Sequence, residues 1–479
     1  MLDNPNLGDE PRVAKTDIGA KDGQNKCPKC GATDISLNPK TGKLRCNYCR
    51  HEFMPEKVEG IETDIKNLRG EIIGSGAKDI QDEQNIKTIK CSSCGAEVVI
   101  DTSETTQARC HWCRNTLSIN QQISNGVIPD MVLPFKVTKE EAKEKIEEFV
   151  RKRKNYANPK FKAEFTADNI MGVYFPYLVV DINAHANLSG RGEETIKRYK
   201  NSDDKTLYII DLYHVERDFD ITIEGLTIES SSELLDNSPN KTNNIINSIL
   251  PFDIENCVKF NSNYLKGYTS EKRDTNINEL KEIVDIQSKD ITKIAANDSI
   301  NSYDRGVYWE KEDFQLKGRQ WKTAYLPVWL YSYLENKGEK NILHYVAVNA
   351  RSKETMGSVP LHLPKLIIIS FLIELIAIIA MSLFKFANDW LLLLPGIIYF
   401  IVIYSKYRNS GARHYYETET KRKIYNMKKV DEYIRREEGR SDESMILANN
   451  LDIYGASRYS YLPENIKKKI IDYMEKDIK

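Results

Sequence analysis

This sequence has no excess of one charge: 69 lysines and arginines face 70 aspartates and glutamates, for a net charge of −1. No global field therefore draws the whole chain toward nucleic acid. The first thirty residues are polar and lack the apolar stretch of a secretory signal, which argues against an oxidising compartment. Catalytic signatures are missing as well. There is no phosphate-binding glycine loop, no H-E-x-x-H and no G-x-S-x-G. "SGRGEE" at Ser189 carries glycines without a flanking strand–helix pattern. His185, His214 and His344 fall in strand-like runs, where histidine is more often packed or at the surface than catalytic. An enzyme is not expected, and one with its site in 133–358 is the least supported reading.

Cysteine is scarce, nine in 479 residues, but eight of the nine fall into one frame. Cys27, Cys30, Cys46 and Cys49 follow C-x2-C-x15-C-x2-C, and Cys91, Cys94, Cys110 and Cys113 repeat it 64 residues later. Lys26 and Lys90, Gly31 and Gly95, Arg45 and Arg109, and Arg50 and Arg114 share the same offset, so the cassette is an internal duplication. Two cysteines two apart offer both thiolates to one ion, and two such pairs complete a tetrahedral sulfur shell suited to Zn2+. The 15-residue gap is long enough for a hairpin, with Pro39 and Gly42 marking its tip. Gly31 and Gly95 stand where the chain turns sharply. The expectation is two structural Zn2+ ions, since a closed four-cysteine shell has no open position for catalysis. Disulfides would need an oxidising compartment, and an iron–sulfur site is the minor alternative. His51 and His111 are bystanders to shells already full. Cys257 has no partner in the pattern and reads as a small apolar residue.

Long apolar runs are confined to one region. "LIIISFLIELIAIIAMSLF" (Leu366 to Phe384) is 19 residues long with Glu374 as its one charge, and "WLLLLPGIIYFIVIY" (Trp390 to Tyr404) follows. Together they predict a transmembrane helical hairpin over 365–405. Arg351, Lys353 and Lys365 precede it, and Lys406, Arg408, Arg413, Lys421, Arg422 and Lys423 follow, against Lys385 in the turn. That bias predicts a multi-pass cell-membrane protein with two spans and both termini cytoplasmic. Glu374 reads as a contact with the second helix.

The fold class expected is a multidomain α+β chain. A disordered N-terminus covers 1–24, zinc ribbon 1 covers 25–55, a linker 56–88 and zinc ribbon 2 89–120, the linker leaving the ribbons as separate beads. A strand-rich α+β domain covers 133–358, the hairpin follows, and a basic helical cytoplasmic tail fills 406–479. The middle domain opens on Thr138 and Glu141, a capping box, with Ala142, Ile146 and Phe149 on one helix face. Tyr, Val and Ile-rich runs follow, and two of them begin alike, Tyr174-Phe175-Pro176 and Tyr325-Leu326-Pro327. In the tail, residues 406–429 carry eight Lys/Arg against two Glu, a basic stretch that suits anionic lipid.

"CPKCG" followed by "CNYC" resembles the transcription-factor-IIB-type zinc ribbon, and the whole layout is similar to bacterial membrane proteins that carry it. The second copy departs from that pattern with Ser92 and Ser93 between its first two cysteines. The resemblance implies contact with polymerase or nucleic acid, although ribbons also mediate protein contacts. The reading is a membrane-anchored, cytoplasm-facing adaptor or scaffold for a protein partner. The alternative is nucleic-acid binding through ribbon 1, with Lys26, Lys29, Lys40, Lys43, Arg45 and Arg50 beside Tyr48 and Phe53.

Overall fold

The computed structural model describes residues 11–16, 27–79, 86–90, 97–101, 122–123, 129–230, 249–384, 395–407 and 420–440, with short breaks inside these ranges. The N-terminal third holds β1 (Arg12–Ala14), β2 (Ile35–Asn38), β3 (Lys43–Cys46), β4 (Glu52–Phe53), β5 (Gly70–Gly74), β6 (Ile86–Lys90), β7 (Glu97–Asp101) and β8 (Gln122–Ile123). Next come β9 (Met131–Val132), α1 (Lys139–Arg151), α2 (Pro159–Glu164), β10 (Met171–Lys200), β11 (Thr206–Glu229), β12 (Val258–Lys259) and β13 (Thr269–Ser270). The chain continues through α3 (Ile277–Asn297), β14 (Val307–Lys337), β15 (Lys340–Asn349), β16 (Thr355–Gly357), α4 (Leu363–Phe384), α5 (Pro395–Tyr407) and β17 (Lys421–Arg440).

One mixed sheet of eleven strands dominates, with a main order β1-β5-β14-β10-β11-β17. Its spine is three long antiparallel strands, β14, β10 and β11. The sequence of β10 explains its placement. Leu178, Val180, Ile182, Ala184, Ala186 and Leu188 alternate with Asp181, Asn183, His185 and Asn187, so one face is apolar. That face packs on Ile277, Leu280, Val284 and Ile291 of α3. Toward the start of β10 both faces are covered. Tyr174 joins Phe135 and the Ile146 and Phe149 side chains of α1 on one side, and Val173, Phe175 and Tyr177 meet Leu250 and Phe252 on the other. The α1 capping box forms: Thr138 Oγ1 accepts the Glu141 N–H at 3.3 Å, and the Glu141 carboxylate accepts the Thr138 N–H at 2.9 Å.

The two similar strand starts lie directly across from each other. Tyr174 pairs with Pro327, Phe175 with Leu326 and Pro176 with Tyr325, a local two-fold between β10 and β14. Each strand then forms a hairpin with its successor, β11 or β15. Proline lacks a ladder donor and is normally kept off central strands. Here each proline sits one residue before its second neighbour strand pairs. Only its carbonyl is used there, accepting Ser230 N–H at Pro176 and Ala350 N–H at Pro327, both at 3.1 Å.

Several expectations are corrected. The multidomain α+β layout gives way to a strand-rich mixed sheet with few helices. Among the described residues no helix is long and apolar enough to cross a membrane. The two-helix transmembrane hairpin, the multi-pass cell-membrane location and the membrane as partner are therefore not supported. Of the second helix, the 13 described residues rise about 20 Å, short of a bilayer core of ~30 Å. The expected contact of Glu374 with the second helix does form: its carboxylate accepts the N–H of Gly396 at 2.9 Å, at the start of α5. Of the tail of 406–479 expected to be helical, 406–407 close α5, and 421–440 form a strand, β17, paired antiparallel with β11. Within 406–429, Arg422 meets Asp298 at the end of α3 and Lys428 meets Asp218 of β11, and farther along Arg436 meets Asp211 of β11, so among the described residues the lipid-binding surface expected at 406–429 is not supported.

Two segments expected to be loose are built in. Arg12–Ala14, within the stretch 1–24, pairs in parallel with β5, and Ala14 buries against Leu68 and Ile72. The linker at 56–88 supplies β5, which pairs in parallel with β14. It is also tied at Glu56, whose carbonyl accepts Lys259 N–H at 2.8 Å, and at Glu62, whose N–H donates to Gln320 at 2.9 Å. Ribbon 1 is thus held against the sheet, not strung as a bead, because Ile35 and Leu44 share the apolar cluster of Phe135 and Tyr174.

Candidate metal centre

The first cassette is a three-stranded antiparallel sheet, β2-β3-β4, with two cysteine knuckles at one end. The knuckles have the same backbone. Gly31 N–H donates to Cys27 O at 2.8 Å, and Arg50 N–H donates to Cys46 O at 2.9 Å. Both donors stand four residues after the first cysteine of their pair, and both are left-handed, with φ of 71° and 58°. The glycine was legible in the sequence. Arg50, its counterpart in the second pair, was not, because nothing about arginine signals that conformation.

The knuckles bring four sulfurs together, all within 4.8 Å of one another. Cys27 and Cys49 Sγ are 3.6 Å apart, as are Cys30 and Cys46. A disulfide would need about 2.05 Å. A tetrahedral ion with sulfur at about 2.3 Å has S···S edges near ~3.8 Å. The donor set and its spacing fit a divalent ion of that kind, so the cluster can hold a metal.

Electrostatics point the same way. Burial works against ionising Cys27, but hydrogen bonds from the N–H groups of Cys30 and Lys29 and from neighbouring thiols bring it down to about 7. At Cys30 a hydrogen bond at the Ala32 backbone favours the thiolate, yet burial and the sulfurs of Cys49, Cys46 and Cys27 push it up to about 12. Four thiols this close cannot all ionise by themselves. A cation that supplies positive charge changes that balance.

Of the other candidate residues, Cys91, Cys94, Cys110 and Cys113, together with His111, lie outside the described residues. Strands β6 and β7 pair antiparallel from Ile86↔Asp101 to Lys90↔Glu97, ending directly before Cys91 and starting three residues after Cys94. His51 offers its backbone carbonyl to Cys46 N–H, and its ring stacks on Phe53. Burial pushes the Cys257 thiol up to about 12, as suits an inert packed cysteine. His185 bridges Asp220 at 3.0 Å and Asp218 at 3.4 Å, and His344 bridges Glu335 and Ser358, each at 3.1 Å.

What the sequence did not reveal is the root of the cassettes. Asp130, which follows both cassettes in the chain, is buried. Its carboxylate accepts the Thr16 hydroxyl, Gly76 N–H at 2.8 Å and Thr323 N–H at 2.7 Å. Buried Arg273 holds the carbonyls of Gly76 and Lys78 at 2.9 Å. Thr16 N–H also reaches Ser75 Oγ at 3.1 Å. The chain therefore enters the first cassette, passes between the two and leaves the second through one polar knot on β14.

No family model matches the chain, and no solved structure matches it. The chain is similar to the uncharacterized protein YdjG of Bacillus subtilis (strain 168), 26% identical over 344 residues, covering 70% of this chain and 89% of that protein. That relative brings no evidence of enzymatic activity. Of the resemblance to ribbon-bearing bacterial membrane proteins, the metal-capable cysteine cluster is what stands.

Proposed function

We propose that this protein is a zinc-ribbon adaptor whose cassettes each hold a structural Zn2+ and contact a protein partner, with the large sheet as platform. One observation carries the reading. The four sulfurs fill a coordination shell by themselves, leaving no position for a substrate, while Tyr48 and Met54 on the same module stay 83% and 69% exposed. A protruding aromatic on a metal-stiffened hairpin is the kind of side chain that anchors protein interfaces. Duplication of the cassette then raises avidity through effective concentration. The competing reading, a grip on nucleic acid, draws on Lys29, Lys43, Arg45 and Arg50, all exposed around the same module.

The test uses the zinc-loaded full chain as bait beside its Tyr48→Ala variant. A captured protein lost roughly tenfold with Tyr48→Ala supports the adaptor. Sub-micromolar binding to DNA or RNA at physiological salt, abolished when Lys40, Lys43 and Arg45 are replaced together, overturns it in favour of nucleic acid.

A further inference from the structure

β17 lies at one end of the main strand order, and it is held differently from the strands it follows. None of its twenty residues is buried, whereas β11 beneath it buries alternate residues along its length. Its apolar contacts are few, Ile424 and Met427 against the core behind β11 and Tyr433 against Tyr213, and charge supplies much of the rest. Arg436 grips both carboxylate oxygens of Asp211, at 2.7 and 2.9 Å. Asp431 accepts from Arg217 at 2.9 Å and from the Tyr303 hydroxyl at 2.9 Å. Arg422 meets Asp298 at 2.6 Å, and Arg440 meets Glu193 at 3.2 Å. The ladder to β11 also slips register three times, at Tyr208/Ile209, Leu212/Tyr213 and Asp218/Asp220. Asp211 and Arg217 remain 5% and 3% exposed with β17 in place.

We propose that β17 is a displaceable strand, and that the β11 edge beneath it accepts an extended polypeptide segment bearing arginines that meet Asp211, Glu193 and Asp298. Strand addition of this kind draws its affinity from main-chain hydrogen bonds and its selectivity from side chains. The bulges weaken the resident ladder, and the charges protect an edge that would otherwise attract any strand. Ion pairs at a partly exposed edge weaken as salt screens them, while the apolar interior of β10, β11 and β14 does not respond in that way. The acceptor edge is thus opened by ionic conditions or by a competing segment, without unfolding the sheet.

Hydrogen exchange on the zinc-loaded full chain, at low and high salt, tests the first half. Amides of 421–440 should exchange about tenfold faster at high salt, with β10 and β14 unchanged. A labelled synthetic peptide of sequence 421–440 tests the second half. It should bind the full chain saturably, and Arg436→Ala in the peptide should weaken it about tenfold, as expected for loss of a two-point arginine–carboxylate contact. Exchange of β17 in step with β10 and β14 at both salts overturns the proposal. So does failure of the peptide to bind at either salt.

Discussion

Gly76 and Asp130 are 54 residues apart in the chain and joined by a 2.8 Å hydrogen bond, the N–H of the first donating to the carboxylate of the second. Everything between them is the second cassette and its flanks. The same carboxylate takes the Thr16 hydroxyl, from just before the first cassette. Burial pushes the Asp130 carboxyl up, against the pull of the hydrogen bonds from Thr16, Thr323 and Gly76. Asp130→Ala would leave the N–H groups of Gly76 and Thr323 buried and unpaired. A loss of roughly 3 kcal/mol in unfolding free energy is expected, read from the urea midpoint. Thr16→Val removes one donor and should cost about 1 kcal/mol.

Metal content follows from the two cassettes. The full chain should carry two zinc ions, and Cys46→Ser should carry one, because the frames share no cysteine. Elemental analysis after gel filtration decides it. A zinc content of zero in the unmodified chain would remove the basis of the adaptor reading.

The matching knuckles predict opposite responses to matching changes. Gly31 sits at φ 71° and Arg50 at φ 58°. A side chain in that region costs about 1–2 kcal/mol. Gly31→Ala should therefore speed zinc release to a chelator, roughly tenfold if the whole cost falls on the metal-bound state. Arg50→Gly should leave release unchanged or slow it, since glycine adopts that conformation without penalty.

Acid stability should show one identifiable step. Burial disfavours the charge on Asp220, but Lys317, His185 and Asn426 hold its carboxyl down to about 2. A carboxyl lowered in the folded state adds stability that is complete above the unfolded value, about 3.9, and is lost as pH falls through the folded one. The loss should fall between about pH 4 and pH 2 and amount to roughly 1–2 kcal/mol after allowance for solvent screening. Asp220→Asn should flatten that part of the stability curve. An unchanged curve would show that the Lys317–Asp220 pair carries no net stabilisation.

Local chemistry was legible in the sequence. The cysteine frame announced the cluster of Cys27, Cys30, Cys46 and Cys49, because a knuckle is made by residues within five positions of one another. The Thr138–Glu141 capping box could be read for the same reason. The likeness of Tyr174-Phe175-Pro176 to Tyr325-Leu326-Pro327 was also visible, but not that the two would face each other across β10 and β14. That required a strand partner about 150 residues away. The basic stretch 406–429 read as a helix suited to lipid, and the described residues from Lys421 to Arg440 form a strand. They lie on the sheet because Asp211 and Glu193 of the neighbouring strands and Asp298 at the end of α3, which no local pattern links to them, are brought there by the tertiary fold. The apolar run beginning at Leu366 read as half of a membrane hairpin. Among the described residues its partner helix is 13 residues long, and Glu374 accepts a hydrogen bond from its start. Which side chains can hold a metal follows from the order of residues alone, since ligand type and spacing are properties of short segments. Where the cassettes are anchored does not. Thr16, Gly76, Asp130 and Thr323 become neighbours only when distant strands pair and exclude water from their hydrogen bonds.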